Sequence, residues 1–522
     1  MNAPELRLPT PAAGGHPAVA PRRLNEGLVV AVAGLLCVAI ALGIAVAMPK
    51  PNYALVLGAI VGVVSLGVLA TSPRLDLTVA GLVFFLGCVN GPVKLLSSTG
   101  RVGSGVQDAM IIAIVLGLLA RQLMSGQPWR LPPLAGLVIA FVGVVALEAF
   151  NPKTLNLVKV VGGFREQLQF VPFFVFAYLL MRSKARLRKA LILLGVIALA
   201  NGVVSTYQTR LSPTQLAAWG SGYARKFEGK ASRVYKSEGV GRVRPTGLGD
   251  ESGAGGGIGV SAIAATLALL ATTRRKRWLL ALLTFGAIAA IATGLGRVQL
   301  VGGLLAIVGY LLLTSRGGQQ FRRPLRLLIV SLAILIPFSA VFVSVLGGGT
   351  FSRYSTLLSG SSSAGYKENE LGAIPRLISA SPFGFGLGTA GPAASFGGRN
   401  TELLEGHNVN AETTYNFIFK EAGLPGIIVW SATLVTMLTL AFKRIRQLVD
   451  PELQIYLAAV FAPIFAMFFM SFEGPVSQSQ VLAPFFWFAL GIAAYWLAGP
   501  GWQAARRRVG APARAPAASL AS

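Results

Sequence analysis

Apolar runs of about 16 to 22 residues recur along the chain from Leu28 to Leu497, separated by short polar or basic stretches. A helix needs about 20 apolar residues to cross the hydrocarbon of a bilayer, so each run predicts one membrane span. Fourteen such runs begin near residues 27, 53, 77, 106, 133, 166, 190, 256, 278, 298, 327, 425, 455 and 481. Lipid offers no hydrogen-bond partner to the backbone, so the spans are expected to be helices. The ten-residue alternation of a barrel strand is not seen.

The pattern therefore predicts an all-α, polytopic helical membrane protein with about 14 transmembrane helices. It divides the chain into a flexible cytoplasmic tail (1–24), N-terminal transmembrane helices (25–208), an outer basic loop (209–255) and central transmembrane helices (256–346). A long outer loop with short helices (347–424), C-terminal transmembrane helices (425–500) and a basic cytoplasmic tail (501–522) complete it. The first run ends Ala45-Val46-Ala47, a sequence that suits signal peptidase, but its apolar core is longer than a usual signal sequence and it is read as a retained span.

Charge gives the spans a direction. The connections Arg182 to Lys189, Arg274 to Arg277, Arg316 to Arg326 and Lys443 to Arg446 carry 5, 4, 4 and 3 Lys or Arg and no acid, which the positive-inside rule assigns to the cytoplasm. Arg22-Arg23, Arg74, Arg121 with Arg130, and Arg506 to Arg508 fall on the same side if every run spans once. Both termini are then inside, and the loops at 209–254 and 347–424 face outward. Of the 46 basic residues, 26 lie on the cytoplasmic side, so topology accounts for much of the net charge of +27 and no nucleic-acid partner is called for. Cys37 and Cys88 lie inside apolar runs and supply neither a disulfide framework nor a thiolate metal site.

No span carries a charge near its middle. Lys94, Asp108, Glu148, Arg165, Glu166 and Arg297 all fall where a run meets the outer side, which favours chemistry at that rim over an ion path through the bundle. Four outer segments carry the candidate groups. Arg242 to Glu251, followed by Gly253 to Gly259, sets two arginines beside a helix start, a combination suited to an anion; the loop from 209 to 254 holds 8 basic against 4 acidic residues, so a solvated basic loop is the plainer alternative. Thr293 to Arg297 is a very short outer turn that keeps Arg297 at headgroup depth. Ile374 to Leu377, with Arg376, precedes Ser381 to Gly388, where Pro and repeated Gly predict a tight backbone path.

The fourth segment runs from His407 to Gly426. Its histidine is the only one outside the amino-terminal tail, and a neutral imidazole there can accept a proton from a hydroxyl. Asn410 is read as the cap of a helix from Ala411 to Glu421, with Gly423 ending it and Pro425 opening the next span. No Asp-x-Asp pair, second histidine or cysteine cluster joins His407, so no metal or other cofactor is expected.

Together, Pro382 to Gly388, His407-Asn408 and Glu421 to Gly426 resemble the carboxy-terminal signature of the O-antigen ligase and O-antigen polymerase superfamily. Arg244 to Gly247 and Gly296-Arg297 resemble its earlier segments, and the likeness covers roughly residues 240 to 440. The pattern departs from the family at Gly296, where a serine is common, after Asp250, and in lacking a tryptophan after Arg376. The resemblance implies a metal-independent glycosyltransferase of class C type in the bacterial inner membrane, with its active site on the periplasmic face. It implies an undecaprenyl-diphosphate-linked oligosaccharide as donor and an acceptor glycan or glycolipid. Membrane lipids, a chain-length regulator and a flippase of the same pathway are the further partners implied. His407 would act on the acceptor hydroxyl, Arg297 and Arg376 on the lipid diphosphate, with Arg244 and Arg165 in support. Asn408, Glu412 and Glu421 are supporting residues; Glu412 and Glu421 could orient His407 or the acceptor, although helix-surface carboxylates are the simpler reading of both. The spans and the basic outer loop favour a polymerase of O-antigen or exopolysaccharide repeats, with a lipopolysaccharide ligase and a flippase of lipid-linked glycan as alternatives.

Overall fold

The computed structural model describes residues 74–96, 101–126, 130–224, 240–315, 374–395, 413–474 and 476–510, with a few further positions at 67, 70–72, 128, 226–227, 230–231, 234–237 and 372. It is mostly helical, and seven of its helices are long and apolar enough to cross a membrane. The runs predicted near 27, 53 and 327 lie wholly or largely outside the described residues.

The first described helices are α1 (Leu75–Leu96), α2 (Arg101–Met124), α3 (Ala135–Glu148), α4 (Leu157–Leu168), α5 (Pro172–Leu180) and α6 (Lys184–Gln208). After the short α7 (Pro213–Ala217) come α8 (Ala254–Thr272), α9 (Arg277–Thr293), α10 (Arg297–Thr314) and the short α11 (Ile374–Ala380). α12 (Thr414–Arg444), α13 (Pro451–Met470), α14 (Leu482–Leu497) and α15 (Pro500–Gly510) close the order.

The chain forms two compact units, one of 1–72 with 116–127 and one of 73–115 with 128–522. In the first, the Arg121 guanidinium donates to the carbonyls of Ala70 (3.2 Å) and Ser72. All that follows concerns the second.

α8 and α13 are its central helices. α8 packs on α6, α9, α10 and α13, and it is apolar all round because it meets protein on every side. Small residues set the spacing: a Cβ on Gly202 of α6 would sit 2.3 Å from the Gly286 carbonyl oxygen of α9, so the two backbones touch. The outer helices do the reverse. Leu77, Ile139, Val203, Trp278 and Ile428 are all more than half exposed on apolar helices, an outward-greasy surface that suits lipid and not water.

The run predicted to begin near 166 is not one span. It breaks at residues 169–171 into α4 and the nine-residue α5, which starts with Pro172 at its first turn. α4 is amphipathic with its polarity inverted. Lys159, Gly163 and Gln167, four residues apart, are buried against the protein, whereas Leu157, Val158 and Val161 are exposed.

The basic connections gather at one end of this unit. Lys184 pairs with Asp450 (2.8 Å) and Glu452 (3.2 Å), Arg446 donates to the Leu312 carbonyl (2.7 Å), and Arg444 to that of Leu497. Arg188 also donates to the Thr273 hydroxyl (3.4 Å), so the connections Arg182 to Lys189, Arg274 to Arg277 and Lys443 to Arg446, assigned to one side from their charge, share an end; the connection Arg316 to Arg326 lies outside the described residues.

The outer basic loop is not all coil. It carries two antiparallel hairpins, β1 (Lys226–Phe227) with β2 (Lys230–Ala231) and β3 (Val234–Ser237) with β4 (Val240–Val243). Leu95, Leu216, Tyr223 and Val243 form a small apolar cluster beneath it, with Trp219 packed against them. This is an addition to the all-helical expectation.

Candidate functional site

At the end opposite the basic connections, two neighbourhoods form. The first is built by the loop after Arg244. α6 carries two amides seven residues apart on one buried face, Asn201 and Gln208. Gln208 Oε1 accepts from the backbone N–H of Thr246 and of Gly247, both at 2.9 Å, and Asn201 Oδ1 accepts from Leu248 N–H at 2.9 Å. Asn201 Nδ2 donates in turn to the Gly87 carbonyl (2.9 Å). Lys94, almost fully buried, reaches Asp250 at 3.0 Å and ties the same loop to α1. The pair spans 156 positions of sequence.

The loop then folds over the start of α8. Gly253 N–H donates to the Pro245 carbonyl (2.8 Å), Ala254 N–H to Glu251 (3.1 Å) and Gly255 N–H to Thr246 (3.2 Å). The first amides of α8 are therefore satisfied within the loop, which corrects the expectation that they stand open to an anion.

The turn between α9 and α10 borders the same helix start. Leu295 adopts a left-handed φ of 52° to make the reversal in three residues, and Arg297 opens α10, as the short turn predicted. A Cβ on Gly253 would lie 3.3 Å from both the Gly294 carbonyl oxygen and Gln299 Nε2. The segments carrying Arg244 and Arg297, distant in sequence, thus meet at the amino terminus of α8, and both arginines are half-buried.

The second neighbourhood is built on Ser381 to Ser395. Gly384, Gly386 and Gly388 all have positive φ (83°, 86° and 67°), which gives the tight path their spacing predicted. Phe385 N–H donates to the Lys420 carbonyl (2.7 Å) and Leu424 N–H to that of Pro382 (2.8 Å), so the loop is laced across the break in α12. Gly423 makes that break, with φ 57° and ψ −160°. The helix begins at Thr414, capped by Thr413, whose side chain accepts from Asn416 N–H (3.1 Å); the start expected at Ala411, and its cap Asn410, lie outside the described residues.

Three ionisable side chains hold the far part of this loop. Lys159 Nζ donates to the carbonyls of Ala394 (2.8 Å) and Ala393 (3.2 Å), and Glu166 Oε1 accepts from Ala393 N–H (2.6 Å). Glu421 accepts from Gln167 Nε2 (3.0 Å) and Ala390 N–H (3.3 Å), and it is fully buried, which corrects its reading as a helix-surface carboxylate. Burial, with Glu421 nearby, pushes the Glu166 carboxyl up to about 9 against the weaker pull of the Ala393 amide, Arg165 and Lys159. Burial likewise lowers the Lys159 ammonium, opposed by Glu421 and Glu166.

The turn at 476–482 touches both neighbourhoods. A Cβ on Gly391 would lie 2.8 Å from Glu166 Oε2 and 3.0 Å from Gln478 Oε1, while one on Gly257 of α8 would lie 3.8 Å from Leu482 Cγ. Around this turn Glu166 Oε2, Ser477 Oγ, Gln478 Nε2 and Gln480 Oε1 are buried without a hydrogen-bond partner among the described residues.

Of the expected site residues, then, Arg244 and Arg297 lie on segments that meet at the start of α8. Arg165 lies elsewhere on the rim, its Nε 2.6 Å from Asp108. Arg376 lies on α11, whose Leu377 packs with Phe385 and Phe419, but its side chain is outside the described residues, as are His407, Asn408 and Glu412. Lys159, Gln167, Asn201, Gln208 and Gln478 were not singled out from sequence. For the four on helices the signal was available, since polar residues spaced by seven or eight along otherwise apolar or amphipathic helices mark an inward face; Gln478, in a turn, carries no such mark.

No known protein family, curated protein or solved structure matches the chain.

Proposed function

We propose that the chain is a membrane glycosyltransferase that moves a glycan from a polyprenyl diphosphate carrier, undecaprenyl diphosphate in a bacterial inner membrane, to a sugar hydroxyl at the outer rim. The meeting of the Arg244 loop and the Arg297 turn carries this reading. Two guanidiniums at the edge of an apolar bundle suit a diphosphate whose hydrocarbon lies in the bilayer, because bidentate N–H groups match phosphate oxygens and a partly dry site strengthens them.

In this reading, Arg244 and Arg297 receive the negative charge that develops on the departing diphosphate, with Arg376 contributing from α11. Glu166, Ser477, Gln478 and Gln480 carry buried polar atoms around the turn that touches α8, and this mixture of donors and acceptors suits uncharged sugar hydroxyls. His407 takes the proton from the attacking hydroxyl, the attack comes opposite the leaving diphosphate, and the anomeric configuration inverts. No metal is needed in such a step. Growth of a repeat polymer is the preferred outcome over transfer to a lipopolysaccharide core.

Purified protein given an undecaprenyl-diphosphate oligosaccharide tests the assignment. His407→Ala is expected to slow glycosidic bond formation by about 10² to 10⁴, the usual worth of a general base. Arg297→Ala is expected to weaken donor use without changing product linkage. Wild-type rates in either variant would remove that residue from the mechanism.

A further inference from the structure

A cavity of 280 Å³ lies between α1, α5, α6, α8 and α14, and one end of it reaches Gln480 in the turn that touches the two neighbourhoods described above. Its floor is apolar and buried, formed by Phe173, Ile197, Ile258 and Phe485. Its mouth is exposed and lies at the basic end of the bundle, where Arg186, Lys189 and Asp76 line it. Toward the opposite end of the bundle stand Ser261 and the half-exposed Gln480, both uncharged.

The charges sort the occupants. A polyprenyl diphosphate threaded from the outer rim would place its hydrocarbon in the cavity and its phosphates beside Gln480, where the lining offers no cation. An amphiphile entering from the basic end would bury a chain on the same floor and set its headgroup between Arg186 and Lys189. Two cations against Asp76 leave the mouth positive. The Arg186 guanidinium makes one hydrogen bond to the protein among the described residues, to the Leu180 carbonyl (3.3 Å), and its remaining N–H groups suit a phosphate. Basic pockets between membrane helices on the positively charged side are suited to anionic headgroups.

We infer that this groove is a binding site for an anionic glycerophospholipid, its phosphate at Arg186 and Lys189 and one acyl chain against Phe173, Ile197, Ile258 and Phe485. The headgroup end at Arg186 and Lys189 lies at the opposite end of the groove from Gln480, the residue it shares with the proposed transferase centre, and the lipid assignment does not depend on that centre. A lipid held there fills the space between α1 and α6 and stabilises their packing.

The test uses the full chain, purified and stripped of lipid in detergent, with dioleoyl phosphatidylglycerol or dioleoyl phosphatidylcholine added back. Binding is read by native mass spectrometry and stabilisation by the thermal midpoint. Phosphatidylglycerol is expected to stay bound and to raise the midpoint at concentrations where phosphatidylcholine does neither. The pair Arg186→Ala and Lys189→Ala should weaken phosphatidylglycerol binding about tenfold or more, whereas Arg275→Ala with Lys276→Ala, on another basic connection, should leave it unchanged. Leu193→Trp, which fills the groove, should abolish binding while the protein still elutes as a folded species. Equal binding of the two lipids, or an unchanged affinity in the Arg186 and Lys189 variant, overturns the proposal. Displacement of phosphatidylglycerol by undecaprenyl phosphate in a manner indifferent to Arg186 and Lys189 assigns the groove to a polyprenyl chain and overturns it as well.

Discussion

Glu166 stands at the crossing of three segments, accepting from Ala393 on one oxygen and facing Gly391 and Gln478 with the other. Its pKa, pushed up to about 9 by burial and by Glu421, means that the folded protein keeps a proton that the unfolded chain sheds near 4.5. The sign follows directly. The contribution of this group to stability is full below about 4.5 and is lost as pH rises to about 9, with a slope of at most about 1.4 kcal/mol per pH unit for one proton. Unfolding followed by denaturant from pH 5 to 9 should show that decline, and Glu166→Gln should flatten it. An identical slope in the variant would mean that Glu166 titrates normally.

The element scale shows why loops and helices here must be read together. Gly91 of α1 has no room for a side chain: its Cβ would stand 2.2 Å from the Leu248 carbonyl oxygen. Gly91→Ala is expected to push the Arg244 loop off α1 and to cost about 1–3 kcal/mol, the usual range for overpacking. The check is a lowered thermal midpoint together with weaker donor binding. Gly423 works differently. Its φ 57° and ψ −160° fall in a region that suits only glycine, so Gly423→Ala should strain the break in α12 and loosen the 381–395 loop laced over it.

Most helices were legible because apolar length is a local property; the runs among the described residues became helices starting within about six residues of the prediction, except those near 166 and near 425, the latter inside a helix that starts at Thr414. The run near 166 failed for a physical reason. A window of hydropathy averages over Gln167 and Gln169, but the protein turns α4 so that its polar stripe faces inward, then restarts with Pro172. Candidate residues were legible in part: the Arg297 turn and the Pro382 to Gly388 path followed from Gly and Pro spacing. The Lys159, Glu166 and Glu421 cluster did not, since it joins positions more than 250 apart, and nothing local marks a carboxylate as buried.

For the whole molecule, orientation rests on the basic connections that meet at one end. Single cysteines placed at Arg275 and at Ser212, in a background with Cys37 and Cys88 replaced, should react with an impermeant maleimide from opposite sides of sealed vesicles. Reaction of both from one side would undo the direction assigned to every loop. The same end-to-end polarity underlies the proposed chemistry, because it sets the Arg244 and Arg297 segments at the face away from the basic connections.

That chemistry is tested most directly with wild-type protein in liposomes, supplied with a labelled undecaprenyl-diphosphate oligosaccharide and followed for both new glycosidic bonds and movement of the label across the membrane. The account predicts a ladder of lengthened glycan, with one undecaprenyl diphosphate released for each bond formed. Label that crosses the bilayer with no new bond and no released carrier would contradict it and favour a flippase.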